Sequence, residues 1–449
     1  MWDDYLNSLK HLPHSRSFLF CSDHHSATFA QFMTTAIRVG KVLQGYSQKY
    51  VLIQSGQSYR NLVGIMASVL SGKIPILDFK ESLKDDEIYL KYSLFCQKIL
   101  SLFHQQAPSF DTADVNSAID RIFADPGQTK IIFCTSGTSG DSVFINKSWL
   151  QLFRESKALK ELYDLTMGHS VVTLVSPFHL YGFLHGFMVP MIYGLKSYVF
   201  PVSGGLFPAE LDRKMTCHLL CSSPLAWEYT LRFARKNNVN YVVSSGAALG
   251  EKRSGDCVSD RLAHIKFVEL IGSTETGGIG YRFLQKGQKT DYYRLFKGVE
   301  ITFHEGDTFI RSLYLGQDKS DNVTLGLSDR FASTDDPEVF QFLGRSDRIF
   351  KYAGKRYSLD ETEKRLRKML NGRKVSCQFL TDEGRLKGGT LRALIEGDPL
   401  SKAKLKQKWL EESPLPFPDI ISFHQIIPKD SMGKPDFKAA FDKRPDKRS

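Results

Sequence analysis

Apolar, β-rich runs alternate with helical patterns along most of this sequence, and that alternation constrains the fold more than any other feature. Residues 50–54 read as a strand, residues 60–70 as the helix after it, and residues 74–77 as the next strand. Further apolar runs that precede loops cover 129–134, 171–175, 241–243 and 267–270. This order predicts an α/β fold with mainly parallel sheets. Ligands bind at the carboxyl ends of such strands, so functional residues are expected in the loops after these runs.

The pattern changes near Gly344 and Arg345. Residues 339–343 alternate like a strand, and Asp360 and Glu363 have the spacing of a capping box at the start of a basic helix over 361–370. The rest of the chain has the size of a small α+β domain. We predict a large N-terminal α/β domain over 1–344 and a small, mobile α+β lid domain over 345–449.

Basic residues outnumber acidic ones in this 449-residue chain, with 60 Lys and Arg against 49 Asp and Glu and a formal net charge of +11. A basic excess suits an anionic partner, which leaves nucleotides, coenzyme A, acidic carrier proteins, nucleic acids and anionic membranes open. The sequence contains no recognisable nucleic-acid-binding motif, so nucleic acid is not an expected partner.

The seven cysteines are scattered and form no Cys-x-x-Cys pair. Cys217 and Cys221 share one segment, where a metal site is the alternative to the favoured interpretation, two buried apolar cysteines. An odd number of cysteines without a disulfide framework is typical of reduced thiols, so we expect a cytoplasmic protein. The acidic N-terminal residues also lack the pattern of a signal peptide.

Residues 171–195 contain no Asp, Glu, Lys or Arg and are numerous enough to cross a bilayer. Pro177, Gly182 and Pro190 interrupt this stretch. A strand, a turn and a buried helix therefore fit it better than a membrane span.

The first candidate site is a loop of glycines and hydroxyl residues directly after the run at 129–134. Its residues are Thr135, Ser136, Gly137, Thr138, Ser139 and Gly140. Glycines allow a tight turn in which several N–H groups point at one anion, and hydroxyls add donors for phosphate oxygens. A Walker loop is excluded, because no Gly-Lys-Ser/Thr follows. An ordinary turn is the alternative, since such loops are common turns.

A second glycine-rich loop, residues 272–278, follows the run at 267–270 and places Glu275 between Thr274 and Thr276. A carboxylate beside hydroxyls in such a loop could hold Mg²⁺ against phosphate oxygens. The alternative is a helix N-terminus with an acidic residue in its first turn.

Two further motifs lie nearer the C-terminus. Asp329 precedes a segment, 344–354, that begins Gly-Arg-Ser-Asp-Arg. Lys434 ends a Ser-Met-Gly-Lys turn, where a lysine can deliver a point charge to a phosphate or a carboxylate. An exposed surface lysine is the alternative interpretation.

In this order and spacing, the four motifs resemble those of the adenylate-forming superfamily, which includes acyl-CoA synthetases, aryl-CoA ligases, luciferases and the adenylation domains of peptide synthetases. The resemblance covers nearly the whole chain. It implies ATP and Mg²⁺ as cofactors and an acyl-AMP intermediate. It also implies transfer of the acyl group to the thiol of coenzyme A or of a carrier protein's phosphopantetheine.

The resemblance assigns a role to each matching residue. Thr274 and Glu275 match the phosphate-binding threonine and the Mg²⁺-binding glutamate, and Lys434 matches the lysine that bridges the substrate carboxylate and ATP. Asp347 falls at the hinge, and Gly354 in the loop that faces the active site during thiol transfer. Nucleotide-binding roles fall on Thr135, Ser136, Gly137, Thr138, Ser139, Gly140, Gly246, Ala247, Ile271, Gly272, Ser273, Asp329 and Arg345. Acyl-pocket roles fall on His179, Tyr181 and Ala248, with Phe183 and Trp227 as further candidates.

The sequence departs from the family pattern at three places. Ser142 and Val143 stand where the phosphate loop usually continues with Pro-Lys, so the loop lysine is missing, and Lys147 is a candidate to compensate. Ile271 replaces an aromatic residue that stacks on adenine, and Ser328 replaces the glycine of Thr-Gly-Asp. These departures leave open a nucleotide-binding protein of the same fold that has lost catalysis.

The sequence thus predicts an ATP-dependent acid–thiol ligase acting on a small-molecule carboxylic acid. The identity of the thiol that accepts the acyl group, coenzyme A or a carrier protein, is left open. It depends on how a basic cluster on the predicted lid helix is interpreted. The cluster consists of Lys364, Arg365, Arg367 and Lys368, with Arg373 and Lys374 just beyond. A solvated helix face and a docking surface for an acidic acyl carrier protein are the two interpretations.

Overall fold

A computed structural model describes residues 15–21, 26–54, 58–78, 89–91, 112–136, 142–202, 214–246, 249, 262–284, 292–304, 307–316, 323–345, 348–352, 355–382, 387, 389–429 and 435–442. The chain divides into two units. The first comprises Met1–Thr302, Phe309–Leu325 and Thr334–Phe340, and the second comprises Phe303–Thr308, Gly326–Ser333 and Gln341–Ser449. The predicted domain boundary at residue 345 stays a prediction.

Twenty-four strands are described, numbered in chain order. The first unit contains β1 (Ser17–Cys21), β2 (Ser26–Thr28), β3 (Tyr50–Gln54), β4 (Ile74–Asp78), β5 (Tyr89–Lys91), β6 (Lys130–Ser136), β7 (Ser142–Ser148), β8 (Ser170–Thr173), β9 (Lys196–Val199), β10 (Thr216–Ser222), β11 (Asn238–Ser244), β12 (Lys266–Ser273), β13 (Gly277–Phe283) and β14 (Tyr292–Leu295). The stretch divided between the units contains β15 (Val299–His304), β16 (Asp307–Ser312), β17 (Leu325–Leu327), β18 (Asp329–Ser333) and β19 (Val339–Arg345). The second unit adds β20 (Ile349–Tyr352), β21 (Lys355–Ser358), β22 (Val375–Thr381), β23 (Gly389–Glu396) and β24 (Ile420–His424).

The helices are numbered in the same way. The α-helices of the first unit are α1 (Phe29–Leu43), α2 (Ser58–Leu70), α3 (Thr112–Ala124), α4 (Trp149–Leu162), α5 (Leu180–Phe183), α6 (Val189–Tyr193) and α7 (Trp227–Lys236). Those of the second are α8 (Leu359–Met369), α9 (Lys402–Glu412) and α10 (Phe437–Asp442). A π-helix, Leu184–Met188, joins α5 to α6, and a 3₁₀ turn, Pro224–Ala226, precedes α7.

A parallel block lies at the centre of the large sheet in the first unit, where the strands run in the order β14-β13-β12-β11-β10-β8-β9-β1-β2. Cys221 of β10 pairs in parallel register with Thr173 of β8 and Val243 of β11. The second halves of β10 and β11, residues 219–222 and 241–244, are buried, which explains the apolar runs at 219–221 and 241–243. The prediction of an α/β fold with parallel-rich sheets is confirmed.

The second sheet of this unit runs in the order β5-β3-β4-β6-β7, and its inner strands β3, β4 and β6 are parallel. β7 is antiparallel to β6, with Ser136 opposite Ser142. The first glycine-rich loop therefore closes a β-hairpin. α4 begins directly after β7, because the side chain of Ser148 accepts a hydrogen bond from the amide of Gln151 while the Gln151 side chain accepts one from the Ser148 amide.

The charge-free stretch 171–195 forms β8, a turn and the buried helical segments α5, π-helix and α6. The predicted strand, turn and buried helix are therefore confirmed. Within the described residues, none of the helices combines the length and the apolar character that a membrane crossing requires.

The second unit is built around a sheet in the order β22-β23-β24, with β20 and β21 as a separate hairpin. Leu366 of α8, Leu391 of β23 and Trp409 of α9 lie in its core with 0% exposure. This α+β architecture agrees with the prediction. The predicted cap at Asp360 is wrong: Ser358 caps α8 by accepting from the amide of Glu361, and Asp360 lies in the first turn.

Cys217 and Cys221 lie on β10 with 0% exposure. Burial raises the pKa of each thiol to about 12. The interpretation as buried apolar cysteines is confirmed.

Candidate active site

The carboxyl ends of β8, β10 and β11 lie at one edge of the large sheet. His179 and Tyr181 follow β8, and Gly246 follows β11. The hydroxyl of Tyr181 donates a 3.0 Å hydrogen bond to the carbonyl oxygen of Val243, the second-last residue of β11. Tyr181, a predicted acyl-pocket residue, thus contacts the strand that leads into Gly246. Burial lowers the pKa of the His179 imidazole below its usual value, which favours a neutral ring at this edge.

Phe183 and Trp227, the further acyl-pocket candidates, are core residues. Their exposures are 0% and 2%. The Phe183 ring packs edge-on against Phe133, with centroids 5.7 Å apart, and the Trp227 ring packs against Phe267 at 6.1 Å. Their side chains therefore pack within the core of the first unit.

The second glycine-rich loop is the turn of a hairpin between β12 and β13, in which Ser273 pairs with Gly277. The alternative of a helix N-terminus is therefore wrong. Ser273 and Thr276 close the turn, since each amide donates to the other's hydroxyl at 3.0 and 3.2 Å. Gly272 has no side chain because a Cβ there would lie 2.3 Å from the carbonyl oxygen of Gly277. Thr274 and Glu275 lie at the tip and are partly exposed.

Strand β7 contacts this turn through Lys147. Its ammonium group, 0% exposed, donates to the carbonyl oxygen of Tyr314 and, at 3.4 Å, to that of Glu275. The amide of Gly316 donates to the same Glu275 carbonyl at 2.7 Å. The strand that follows the first glycine-rich loop therefore holds the backbone of the second. The ammonium group of Lys147 binds these two carbonyls, and they explain its position without a contact to phosphate.

Glu155 of α4 holds the other side of the turn. It is 5% exposed, and its Oε1 accepts a 2.7 Å hydrogen bond from the amide of Gly278. Burial raises the pKa of its carboxyl, against the opposing effects of Lys147 and the Gly278 amide. Burial also lowers the pKa of the Lys147 ammonium to about 8, although Glu155 and Glu275 oppose this change. Sequence reasoning missed Glu155.

A second buried carboxylate that sequence reasoning missed, Glu269 of β12, anchors the segment after Gly246. Its Oε1 accepts from the amide of Leu249 at 2.8 Å, and its Oε2 accepts from Nε of Arg282 at 2.6 Å and from the Tyr293 hydroxyl at 3.1 Å. Each of these hydrogen bonds provides a partner for a polar or charged group whose burial without a partner would be destabilising. The loop that contains Gly246 is therefore tied to the strand that leads to Glu275.

The residues at the hairpin tip fit Mg²⁺, which prefers carboxylate, hydroxyl and phosphate oxygens. Glu275 and Thr274 supply the first two and are partly exposed. Within the described part of the chain, no group donates a hydrogen bond to the Glu275 carboxylate. Its backbone is held by Lys147 and Gly316, and the residue is partly exposed at the tip of the turn.

The remaining predicted site residues are distributed as follows. Thr135 and Ser136 end β6, and Ile271, Gly272 and Ser273 end β12. In the second unit, Asp329 begins β18 and the backbone of Arg345 ends β19. Outside the described residues lie Gly137, Thr138, Ser139, Gly140, Ala247, Ala248, Asp347, Gly354 and Lys434.

Comparison with known proteins gives relatives that span most of the chain. No protein-family model matches. A 4-coumarate–CoA ligase of Halorhodospira halophila is 27% identical over 326 residues, which cover 70% of this chain and 77% of the relative. A 4-coumarate–CoA ligase of Cereibacter sphaeroides is 26% identical over 315 residues, covering 68% and 70%. Over more than two thirds of its length the chain is thus similar to CoA ligases.

Solved structures share the fold of this chain. ATP-bound MatB from Rhodopseudomonas palustris superposes with a TM-score of 0.70 at 15% identity and covers 96% of both chains. The o-succinylbenzoate CoA synthetase MenE from Bacillus subtilis, in complex with its acyl-adenylate intermediate, gives 0.69 at 13% identity and 96% coverage of both. At these identities the likeness concerns the fold alone.

Two departures from the superfamily pattern lie among described residues close to the site. Val143 is exposed at the start of β7, where the phosphate loop usually has its lysine. Ile271 pairs with Gly280 across the β12–β13 hairpin, one residue before the tight turn at Gly272. Both positions supply apolar groups where the superfamily pattern has a cation and an aromatic ring.

Proposed function

We propose that this protein is an ATP-dependent carboxylic acid–thiol ligase that forms an acyl-AMP and then transfers its acyl group to a thiol. The observation that supports this most directly is the hairpin turn at Gly272–Glu275. Its backbone is held by Lys147 of β7, the strand that follows the first glycine-rich loop in the chain. Adenylation requires a metal-binding carboxylate in a fixed position, and Glu275 of this turn is partly exposed.

The first step joins two anions. A carboxylate oxygen of the acid attacks the α-phosphorus of ATP, a P–O bond to that oxygen forms, and the P–O bond to pyrophosphate breaks. Like charges oppose this approach, so cations and N–H donors must neutralise the phosphates. Mg²⁺, held by Glu275 and Thr274, would supply part of that charge. In the second step the thiol sulfur attacks the acyl carbon, the proton of the thiol leaves, and AMP departs.

The remaining roles belong to the same proposal. Lys434 bridges the acid and ATP in the first step, and Asp329 and Arg345 bind the ribose and phosphates. The domain junction follows Gly344, with the hinge at Asp347. A small domain that turns about this hinge would present Lys434 for adenylation and withdraw it for thiol transfer.

Coenzyme A is the acceptor we propose, because the curated relatives are named as CoA ligases. The basic cluster of the predicted lid helix supports a carrier protein as the acceptor less strongly than the sequence suggested. Arg365 bonds with Glu412, Arg367 with Glu363, and Lys374 with Glu396. Arg373 donates to the carbonyl oxygen of Asp398. Much of this charge is therefore neutralised or bound within the unit.

A carrier protein remains the second candidate acceptor, and its docking surface would lie on a different helix, α9. Lys404 and Lys408 of α9 are exposed and, four residues apart, share one face of the helix. This pair of charges suits an acidic partner, whose association would slow as salt screens it.

The test of the proposed function is ATP–pyrophosphate exchange over a panel of acids: 4-coumarate, anthranilate, o-succinylbenzoate and straight-chain aliphatic acids. We expect exchange that depends on Mg²⁺ and on one class of acid, followed by thioester formation with coenzyme A. Binding of ATP by calorimetry without exchange for any acid would instead identify a protein that has lost catalysis.

The acceptor is tested by comparing coenzyme A with an acidic holo-carrier protein at low and high salt. The double variant Lys404→Glu/Lys408→Glu should leave coenzyme A transfer unchanged. If the carrier is the acceptor, the variant should raise only the carrier's KM. Reversal of Lys438 on α10, an exposed lysine in the same unit outside both basic surfaces, is the matched control.

A further inference from the structure

Lys147 and Glu155 form an unusual buried group beside the predicted metal-binding turn. Neither side chain reaches solvent appreciably, with exposures of 0% and 5%. Lys147 is the last-but-one residue of β7, and Glu155 lies in the middle of α4. Their charged ends converge on residues 275–278, which lie more than a hundred positions away in the sequence.

The two side chains hold opposite sides of one short backbone segment. Lys147 donates to the carbonyl oxygen of Glu275 at 3.4 Å, and Glu155 accepts from the amide of Gly278 at 2.7 Å. Between them lies Gly277, with a φ of +72° and no room for a side chain. A Cβ there would lie 2.6 Å from that of Tyr314 and 2.8 Å from Oε2 of Glu155. The close approach of Glu155 therefore depends on this glycine.

The neighbouring segment 314–316 is held by the same strand and helix. Lys147 donates to the carbonyl oxygen of Tyr314, and Gln151 of α4 donates to that of Leu315. Gly316 then donates its amide to the Glu275 carbonyl at 2.7 Å. The carbonyl of Glu275 therefore accepts from two donors. One is Lys147 of β7, and the other is the amide of Gly316, whose segment is held by β7 and α4.

Stability alone does not account for this arrangement. Apolar residues of similar volume commonly replace buried ion pairs with no loss of stability, because removing charges from water is costly. Glu155 is also incompletely satisfied: within the described residues, its buried Oε2 has no hydrogen-bond partner. A buried lysine and glutamate that both address the turn carrying Glu275 are better explained by what they do to that turn.

We infer that Lys147 and Glu155 are positioning residues, which fix the backbone of Glu275–Gly278 so that the Glu275 carboxylate is preorganised for the metal–nucleotide complex. This inference rests on the proposed function and deepens it. Residues that orient a metal ligand without touching the metal typically affect metal affinity by about 10- to 100-fold. Glu155 and Glu275 are the acidic groups that act on the Lys147 ammonium.

The test uses the double variant Lys147→Met/Glu155→Gln, which removes both charges and nearly preserves volume. The side-chain amide introduced by Glu155→Gln would retain an acceptor oxygen for the Gly278 amide. Removing Lys147 alone would leave a buried carboxylate without its partner, so the double variant is the one expected to fold. We expect its thermal midpoint to stay within a few degrees of the parent's.

Two readouts separate positioning from a structural role. Mn²⁺ binding to the protein saturated with α,β-methylene-ATP, followed by electron paramagnetic resonance, should weaken by about tenfold or more in the double variant. In ATP–pyrophosphate exchange, the KM for Mg²⁺ should rise while the KM for the acid stays unchanged.

Lys73→Met is the matched control. The Lys73 ammonium also donates to two backbone carbonyls, of Tyr46 and Gln48, at 2.7 and 2.6 Å. It lies just before β4, at the edge of the sheet opposite the carboxyl end of β6. This variant should keep the parental Mn²⁺ affinity.

A folded double variant with parental Mn²⁺ affinity and parental Mg²⁺ dependence would overturn the positioning role while leaving the proposed function intact. A parent that shows neither metal–nucleotide binding nor exchange would overturn the proposed function itself. Should the double variant fail to fold, Glu155→Met alone, which removes the acceptor for the Gly278 amide, gives the same comparison with the same two outcomes.

Discussion

The phenol of Tyr163 donates a hydrogen bond to Nε2 of His185, 3.2 Å away, inside the core of the first unit. The other ring nitrogen of His185 donates to the carbonyl oxygen of Tyr181 at 2.8 Å. Nδ1 therefore carries a proton, and burial, which lowers the pKa of His185 to about 4, leaves Nε2 able to accept at neutral pH. The two bonds also link the π-helix to Tyr181, whose hydroxyl bonds with Val243 at the candidate acyl pocket.

This neutral histidine predicts acid sensitivity. Burial lowers the pKa of His185 from 6.5 to about 4, so between these values the unfolded chain binds a proton that the folded protein does not. Stability is therefore lost as the pH falls from 6.5 towards 4, by about 3 kcal/mol from this group. Urea unfolding at pH 7 and pH 5 should show a smaller pH effect in His185→Gln than in the parent. An equal pH effect in parent and variant would refute this; exposed His264→Gln is the control.

Glu275→Gln tests the metal ligand. The amide keeps the shape of the side chain but removes the negative charge that Mg²⁺ prefers. We expect the rate of acyl-AMP formation at limiting Mg²⁺ to fall by at least about tenfold, with partial recovery at high Mg²⁺. Coincident Mg²⁺ titrations of variant and parent would show that Glu275 is not a ligand. Glu228→Gln changes an exposed carboxylate of α7 and serves as the control.

Val143→Lys tests the missing lysine of the phosphate loop. Val143 is 38% exposed, one residue into β7, so a lysine fits there without burial of its charge. We expect a severalfold lower KM for ATP, with a gain that shrinks as salt screens the new charge. Phe144→Lys is the matched control, because consecutive residues of a strand point to opposite faces. The same gain from both substitutions would indicate only a general charge effect.

Lys434→Ala tests the assignment of the C-terminal lysine. A cation that stabilises charge only during adenylation should lower the rate of pyrophosphate release by about 100-fold when removed. Transfer from supplied acyl-AMP to the thiol should survive, since that step needs no pyrophosphate to leave. Lys429→Ala alters an exposed lysine five positions earlier. Unchanged pyrophosphate release in Lys434→Ala would contradict the role.

The sequence predicted the parallel strands well, because burial on both faces requires continuous apolar runs. β3 was predicted to its bounds, and β11 and β12 around their apolar centres. Both glycine-rich loops were also located at strand ends. The element after each loop was harder to predict, since both loops are closed by an antiparallel strand that itself carries polar residues. The second loop was consequently open to a helical interpretation that the structure contradicts.

Lys147 shows why part of the site could not be predicted. A lysine in a strand is usually exposed, and its burial here depends on Tyr314, 167 positions away. A signal for the two buried carboxylates was present nevertheless. Glu155 lies on the face of α4 that buries Leu152 and Leu159, and Glu269 interrupts the apolar run of β12. A carboxylate in an otherwise apolar face is expected to have a buried partner.

The hairpin between β6 and β7 limits how the first glycine-rich loop can evolve. Ser136 and Ser142 are paired, so the number of residues between them sets the register of β7. Shifting that register by a single residue would turn every side chain of β7 to its other face and expel Lys147 from the interior. Laboratory selection for new nucleotide preferences should therefore randomise the identities of residues 137–141 and keep their number constant.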